Sequence, residues 1–564
     1  MTFRGLGRRA PIALLTLAAT TLASGLLASS SHGRGAEADA REGDRIRAHV
    51  EFLADDLLEG REAGTRGFDV ASRYAASILE VNRLEPAGDQ GTFFQAVPLV
   101  ESTLTQGSVT LVRDGSPSTT LENPADVAIM PNHVEDQVHL DAPVVFAGFG
   151  VTAPDLNYDD YAGLDVTGKV VLILSNGPAR FPGEQRAHFG SFELKVKNAA
   201  DHGAVGMIIG ALPEEYARTP WDRRASRYAG PNITWVDASG HPGTGDARLH
   251  AVAAVGPTGL EKLFDGSPVA LSAMQTDAAA SKPKGFALPL AVRIDTTTSH
   301  RRLASRNIVG RLRGRDPALA ETYVALTAHL DHIGVGKAVN GDSLNNGAYD
   351  NATGSAILLE VARQLAAGQR PRRSILIVFV TAEEKGLIGS DYFARHPVVP
   401  IERIVADVNL DMPVLMWPLA DVIAWGAENS SLGAIVDRVT RDNGLTVSPD
   451  PMPEENIFVR SDQYSFVKQG VPSVYLMPGF TSADPAINAK EIFQTFLQTH
   501  YHQPSDDLSL PMDRKAAGMF LRVNRQIIES VANDSRAPTW RPGNFFGDTF
   551  GRSHGAAPHT TTNR

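Results

Sequence analysis

Five separated stretches of the chain carry histidines or carboxylates where such groups can gather metal ions. His329 follows the apolar run Tyr323 to Thr327, Glu383 and Glu384 follow Ser374 to Thr381, and Asp411 follows Ile404 to Asn409. Asp350 lies in Asn346-Gly347-Ala348-Tyr349-Asp350-Asn351, just ahead of a helical pattern, and His502 lies in Tyr501-His502-Gln503-Pro504-Ser505-Asp506. Taken singly, each has an ordinary explanation. Asp350 suits a helix N-cap, Glu383-Glu384 an acidic helix start, Asp411 a turn, and the histidines packing or solvent. Taken together, two imidazoles and three carboxylates form a mixed nitrogen and oxygen set suited to two divalent ions, zinc above all. The chain has no cysteine, so thiolate ligands, thiol nucleophiles and disulfides are excluded.

The elements that must position these groups read as strand then helix from about residue 306 onward. The three apolar runs have strand length and lack polar alternation, as parallel strands covered on both faces do. Helices are expected at Gly354 to Ala366 and Ser431 to Asn443. This is an α/β pattern with a mainly parallel twisted sheet flanked by helices, and such sheets place ligands in the crevice at the carboxyl ends of their strands. Upstream, Asp44 to Leu58 and Phe68 to Leu84 carry helical spacing, the second through Val70, Tyr74, Ile78 and Val81, with glycine-rich Glu59 to Gly64 between them. From about 140 to 290 the texture changes to short β-branched runs, Val144 to Phe146, Lys169 to Leu174 and Val205 to Ile209, with one helical stretch at Glu193 to His202.

At 564 residues the chain exceeds what one core sustains. The domain expectation is a leader at 1–36, a first part of the main domain at 37–139, a β-rich insertion at 140–290, the rest of the main domain at 291–534, and a disordered Pro/Gly/Thr-rich tail at 535–564. A formal charge of -11, with no basic stripe, argues against a nucleic-acid partner. Arg4, Arg8 and Arg9 before an apolar stretch and small residues make a secretory signal peptide, implying a secreted or periplasmic protein. Thr20, Thr21, Ser24 and Gly25 dilute that stretch as a membrane anchor, so no stable span is expected once the signal is removed.

The motifs Ala328-His329-Leu330-Asp331-His332-Ile333-Gly334, Asn346 to Gly354, Ala382 to Ser390, Asn409-Leu410-Asp411-Met412 and Tyr501-His502-Gln503-Pro504, in that order, resemble the M28 family of co-catalytic zinc aminopeptidases. The resemblance covers about 44 to 140 and 290 to 530. It implies a zinc-exopeptidase-like fold, peptide substrates, and two Zn2+ ions, one held by His329 and Asp411, the other by Glu384 and His502, with Asp350 bridging. It further implies Glu383 as general base, Asp331 as the acceptor that orients His329, Tyr501 as an oxyanion-stabilising phenol, and Arg460 as a residue lining the substrate site. His332 and His500 receive no role. Ala147 to Gly150, Asp160-Tyr161, Gly168 to Leu172 and Lys197 to Ala204 make the insertion similar to a protease-associated (PA) domain, which shapes access to a cleft. Rival readings are an M28-like carboxypeptidase, a single-zinc glutaminyl-cyclase-like enzyme, and a receptor-like binding protein on the same scaffold. The complete five-residue set together with Glu383 argues against the last two. Oligomeric state is not legible.

Overall fold

The structure, a computed structural model, describes residues 1–2 and 35–551; the expected leader and the last stretch of the tail lie almost wholly outside them. The architecture rests on strands β1 (Phe94–Val112), β2 (Gln137–Phe146), β3 (Val170–Leu174), β4 (Gly206–Gly210), β5 (Ala251–Val255), β6 (Phe286–Leu312), β7 (Tyr323–His329), β8 (Ser374–Val380), β9 (Ile404–Asn409), β10 (Asp421–Trp425) and β11 (Ser473–Pro478). They join one mixed sheet, mostly parallel in its two halves, with β10-β11-β9-β7-β8-β6-β2-β3-β4-β5 as neighbours.

Every residue of β7 and β8 is buried, which explains why their sequences show no polar alternation. β7 pairs in parallel with β8 on one side and β9 on the other, with His329 opposite Val380 and Thr327 opposite Asn409. That register brings the carboxyl ends of all three strands to one rim. Helices Gly354–Ala367 and Arg514–Asn533 cover the sheet, and their apolar residues share a core with Ile46, Leu53, Phe68 and Leu79.

The helix Arg66–Val81 begins where Thr65 accepts from Phe68 N–H, a side-chain N-cap. Its buried face includes Phe68, Ala71, Ala75 and Leu79, while of the residues that give the sequence its helical spacing Tyr74 and Ile78 are partly buried against the core and Val70 is exposed. Val81 is 77% exposed. Alanines let the helix lie close to the sheet, and closeness outweighs residue hydrophobicity in selecting the face.

β6 is long enough to serve two cores. Its end from Ile308 to Leu312 pairs with β8, while its beginning pairs with β2, and β1 runs antiparallel along it from Phe94 to Val112. The hydrophobic clusters consequently do not divide at 139/140: Val109, Leu111, Leu121, Val127 and Ile129 pack with Val144, Leu172 and Ile208 in the second core. The tail also departs from expectation. Phe545–Phe550 is helical with Phe546 fully buried, because its aromatic residues find a groove beside Phe458 and Tyr464. No described helix is long and apolar enough to cross a membrane.

Candidate metal centre

At the rim, His329 Nε2 lies 3.0 Å from Asp411 Oδ1 and 3.4 Å from Asp350 Oδ1. His502 Nε2 lies 3.2 Å from Asp350 Oδ2 and 3.0 Å from Glu384 Oε2. The two oxygens of Asp350 thus face opposite partners, one toward the His329–Asp411 pair and one toward the His502–Glu384 pair. All five residues singled out as ligands converge, although 173 residues of chain separate the first from the last. Donor atoms of His329, Asp350 and Asp411 lie within 4.8 Å of one another, as do those of His332, Asp350 and Glu384. Imidazole and carboxylate donors in two such groups, sharing one carboxylate, suit a pair of zinc-like ions.

Local structure fixes these side chains. His329 Nδ1 faces the backbone carbonyl of Asp331 at 3.1 Å, so Nδ1–H donates there and Nε2 is the ring atom turned toward the carboxylates. Asp331, expected as the acceptor that orients His329, thus meets the ring through its main-chain carbonyl and not its carboxylate. That carboxylate instead accepts from Glu383 N–H at 3.2 Å and Glu384 N–H at 3.4 Å, tying the loop after β8 to the loop after β7. Asn351 makes a second tie: its amide donates to Leu410 O, and its Oδ1 accepts from Gly354 and Met412 N–H. The Asp350–Asn351 peptide is cis. Ser461 donates to Asp411 Oδ2 at 2.6 Å, and Asp506 accepts from Tyr349 and Asp350 N–H.

His332, to which the sequence assigns no role, is fully buried and places Nδ1 2.7 Å from Glu384 Oε1. Glu384 is thereby held with Oε2 toward His502. The only signal in the sequence was its place three residues after His329. Asp506 lay in the stretch that carries His502 and Ser461 beside Arg460, but nothing in one dimension aimed them at Asp350 or Asp411. His500 turns away, with Nδ1 facing Ser505. Arg460 is half-exposed and paired with Glu455 at 2.9 Å, and its positive charge reaches Tyr501.

Electrostatics divide the carboxylates. Burial pushes Asp350 upward, yet hydrogen bonds from His329 and His502 outweigh it and hold the carboxyl well below its usual range. Glu384 is likewise pushed up by burial and by Asp350, and brought down to about 2 by His332 and His502. Glu383 goes the other way: burial, then Asp411, Glu384 and Asp462, raise it well above the usual carboxylate range despite His329. Tyr501 stacks on His502 at 3.9 Å, and burial with Asp350, Glu384 and Glu383 holds it as a neutral phenol. A proton-hungry carboxylate beside a set of ionised ones separates proton transfer from ligation.

Residues 307–528 match the sequence model of peptidase family M28, and residues 140–240 that of the PA domain. A probable leucine aminopeptidase 2 from Aspergillus fumigatus is 26% identical over 253 residues, 43% of this chain and 46% of that protein. Aminopeptidase NAALADL1 of Mus musculus is 26% identical over 412 residues, 64% and 49% of the two chains. A probable glutamate carboxypeptidase AMP1 of Arabidopsis thaliana is 31% identical over 189 residues, 31% and 24% of the two. The chain spans less than half the length of each of these relatives. An aminopeptidase from Aneurinibacillus sp. strain AM-1 shares the fold, with TM-score 0.50 and 18% identity over 89% of this chain and 97% of that one.

Proposed function

We propose that this chain, whose residues 307–528 match the sequence model of peptidase family M28, is a two-zinc exopeptidase removing the N-terminal residue of peptides outside the cytoplasm. The observation that carries the two-ion reading is the division of Asp350, whose Oδ1 faces His329 and whose Oδ2 faces His502. His329 and Asp411 would hold one ion, Glu384 and His502 the other, and Asp350 both. Zinc ions held there would supply Lewis acidity for the scissile carbonyl and lower the pKa of a bound water.

The protein's own groups do the rest. Glu383, raised in proton affinity by burial and neighbouring carboxylates, takes the proton of the attacking water and delivers it to the leaving amine. Tyr501, kept as a phenol, donates to the carbonyl oxygen as negative charge develops there. Ser461 and His332 hold Asp411 and Glu384 in place against side-chain rotation. Export rests on the leader-like pattern of Arg4, Arg8 and Arg9 ahead of an apolar stretch.

The test joins metal analysis to kinetics. Wild type should carry two zinc ions per chain, and Glu383→Gln should keep both while losing ~10² to 10⁴ in turnover. Full activity in that variant removes Glu383 from the reaction. N-acetylated peptides should resist cleavage where free ones are cut; cleavage that survives acetylation but stops on amidating the C-terminus would assign carboxypeptidase direction instead.

A further inference from the structure

Beneath the rim lies a cation that no metal-ligand motif contains. Arg61, 1% exposed, has no carboxylate as a hydrogen-bond partner among the described residues. Its guanidinium donates instead to four backbone carbonyls: Leu330 O at 3.0 Å, Asn346 O at 2.7 Å, Gly347 O at 3.0 Å, and Leu53 O. Leu330 separates His329 from Asp331, and Asn346-Gly347 leads into Asp350. One planar fork therefore grips the loop after β7, the loop before helix Gly354–Ala367, and the end of the N-terminal helical stretch at 35–53. The main chain of Arg61 joins in, accepting from His332 N–H at 3.4 Å.

The turn that delivers this side chain is specialised for it. Glu59, Gly60 and Arg61 have φ of 47°, 69° and 53°, three consecutive left-handed residues. At Gly60 an added Cβ would meet Asn345 O at 2.3 Å and Gly334 Cα at 2.9 Å, so the turn presses directly on the ligand-bearing loops. Asn346 returns the contact, its amide donating to Ala54 O and Asp56 Oδ1, and Lys385, beside Glu384, pairs with Glu62 at 2.7 Å. Left-handed conformations at non-glycine residues are unfavourable, and persist where surroundings over-determine them. Burial lowers the Arg61 guanidinium to about 10, opposed by Asp506, Asp331, Asp350 and Glu384, so it remains a cation. Placing a cation within the field of intended metal ligands runs against metal binding by charge alone. What it gives in return is geometry, since five donors in a fixed fork can register several carbonyls at once.

We propose that Arg61 is a positioning residue of the metal centre: by clamping the carbonyls of Leu330, Asn346 and Gly347, it holds the His329 and Asp350 loops in the register at which their donors share ions. The inference rests on the two-ion reading above and deepens it. It predicts a sign that charge alone does not. Removing a nearby positive charge should tighten a divalent cation, whereas loss of the clamp should loosen it.

The experiment titrates the full-length protein with zinc chloride against a competing chelator, without peptide, for wild type, Arg61→Lys and Arg61→Met. The lysine variant keeps the charge and loses the fork, and it decides the matter should the methionine variant fold poorly. Lys195→Met serves as the control for loss of a buried cation, because Lys195 also donates only to backbone carbonyls, those of Phe149 and Leu174, in the second core. Expected is a ~10 to 100-fold loss of zinc affinity in both Arg61 variants, with partial recovery of kcat at high zinc, and unchanged zinc affinity in Lys195→Met. Unchanged or tighter zinc binding in Arg61→Lys overturns the clamp, as does an equal loss in Lys195→Met. A wild type that holds two zinc ions but cleaves no peptide counts against the peptidase reading, while the clamp is still decided by the affinities.

Discussion

The interface between the two cores contains an imidazole whose titration can be turned into a stability measurement. His188, in the helix Gly183–Gly190, places Nδ1 2.7 Å from the hydroxyl of Tyr464, in the short helix Gln463–Val467 that comes after Ser461 and Asp462. Phe189, Phe545 and Phe550 present their edges or faces to the ring. Burial lowers its pKa to about 4, with Lys468 acting in the same direction and Glu193 opposing. In the unfolded chain the ring titrates near 6.5. Between those values the unfolded state binds a proton that the folded state refuses, so stability is complete above pH ~6.5 and is lost as pH falls toward ~4. Refusing that proton costs the fold at most ~3.4 kcal/mol, and partial solvent access reduces this to ~2 kcal/mol. His188→Gln can still bond the Tyr464 hydroxyl but has no titration in this range. Urea denaturation followed by tryptophan fluorescence at pH 7, 6, 5 and 4 should show wild type losing ~2 kcal/mol more than the variant over that span. Because other buried groups, His133 among them, titrate in both proteins, only the difference between the two curves reports on His188. A difference that stays constant across the four pH values refutes the assignment of a buried neutral ring here.

Three further outcomes are expected from the same geometry. Ser461→Ala removes the donor to Asp411 Oδ2, a charge-assisted bond worth ~1.5 to 3 kcal/mol, and should weaken zinc at the His329–Asp411 position ~10-fold in chelator titrations with little change in thermal midpoint. Stripping zinc with a chelator should lower the thermal midpoint, since ligand at ~100 times Kd stabilises by ~2.7 kcal/mol; calorimetry with and without added zinc reads the shift, and identical midpoints would deny a folded-state metal site. Trp235 donates from Nε1 to Asp391 Oδ2 at 2.9 Å across the interface, so Trp235→Phe should cost ~1 to 2 kcal/mol and raise susceptibility of the joining strands to limited proteolysis without changing zinc content.

Chemistry here was legible in one dimension because metal ligation restricts residue type. The residues proposed as ligands, His329, Asp350, Glu384, Asp411 and His502, are all histidines or carboxylates, and parallel strands announce themselves by unbroken apolar runs, so the order strand, candidate ligand, strand, candidate ligand could be read directly. Roles that depend on direction stayed hidden. The sequence offered Asp331 as a carboxylate for His329, and only the turn after β7 decides that its carbonyl does this while its carboxylate gathers the Glu383 and Glu384 amides. The helix Arg66–Val81 shows the same limit, since its alanine face is chosen by how near the sheet lies and not by which residues are more apolar. Likewise Arg61 and His332 take their places through contacts 269 and 52 residues away, which no local pattern encodes. Composition and periodicity determine which groups exist and which elements carry them; register between strands, and the loops packed beneath their ends, decide which atoms meet.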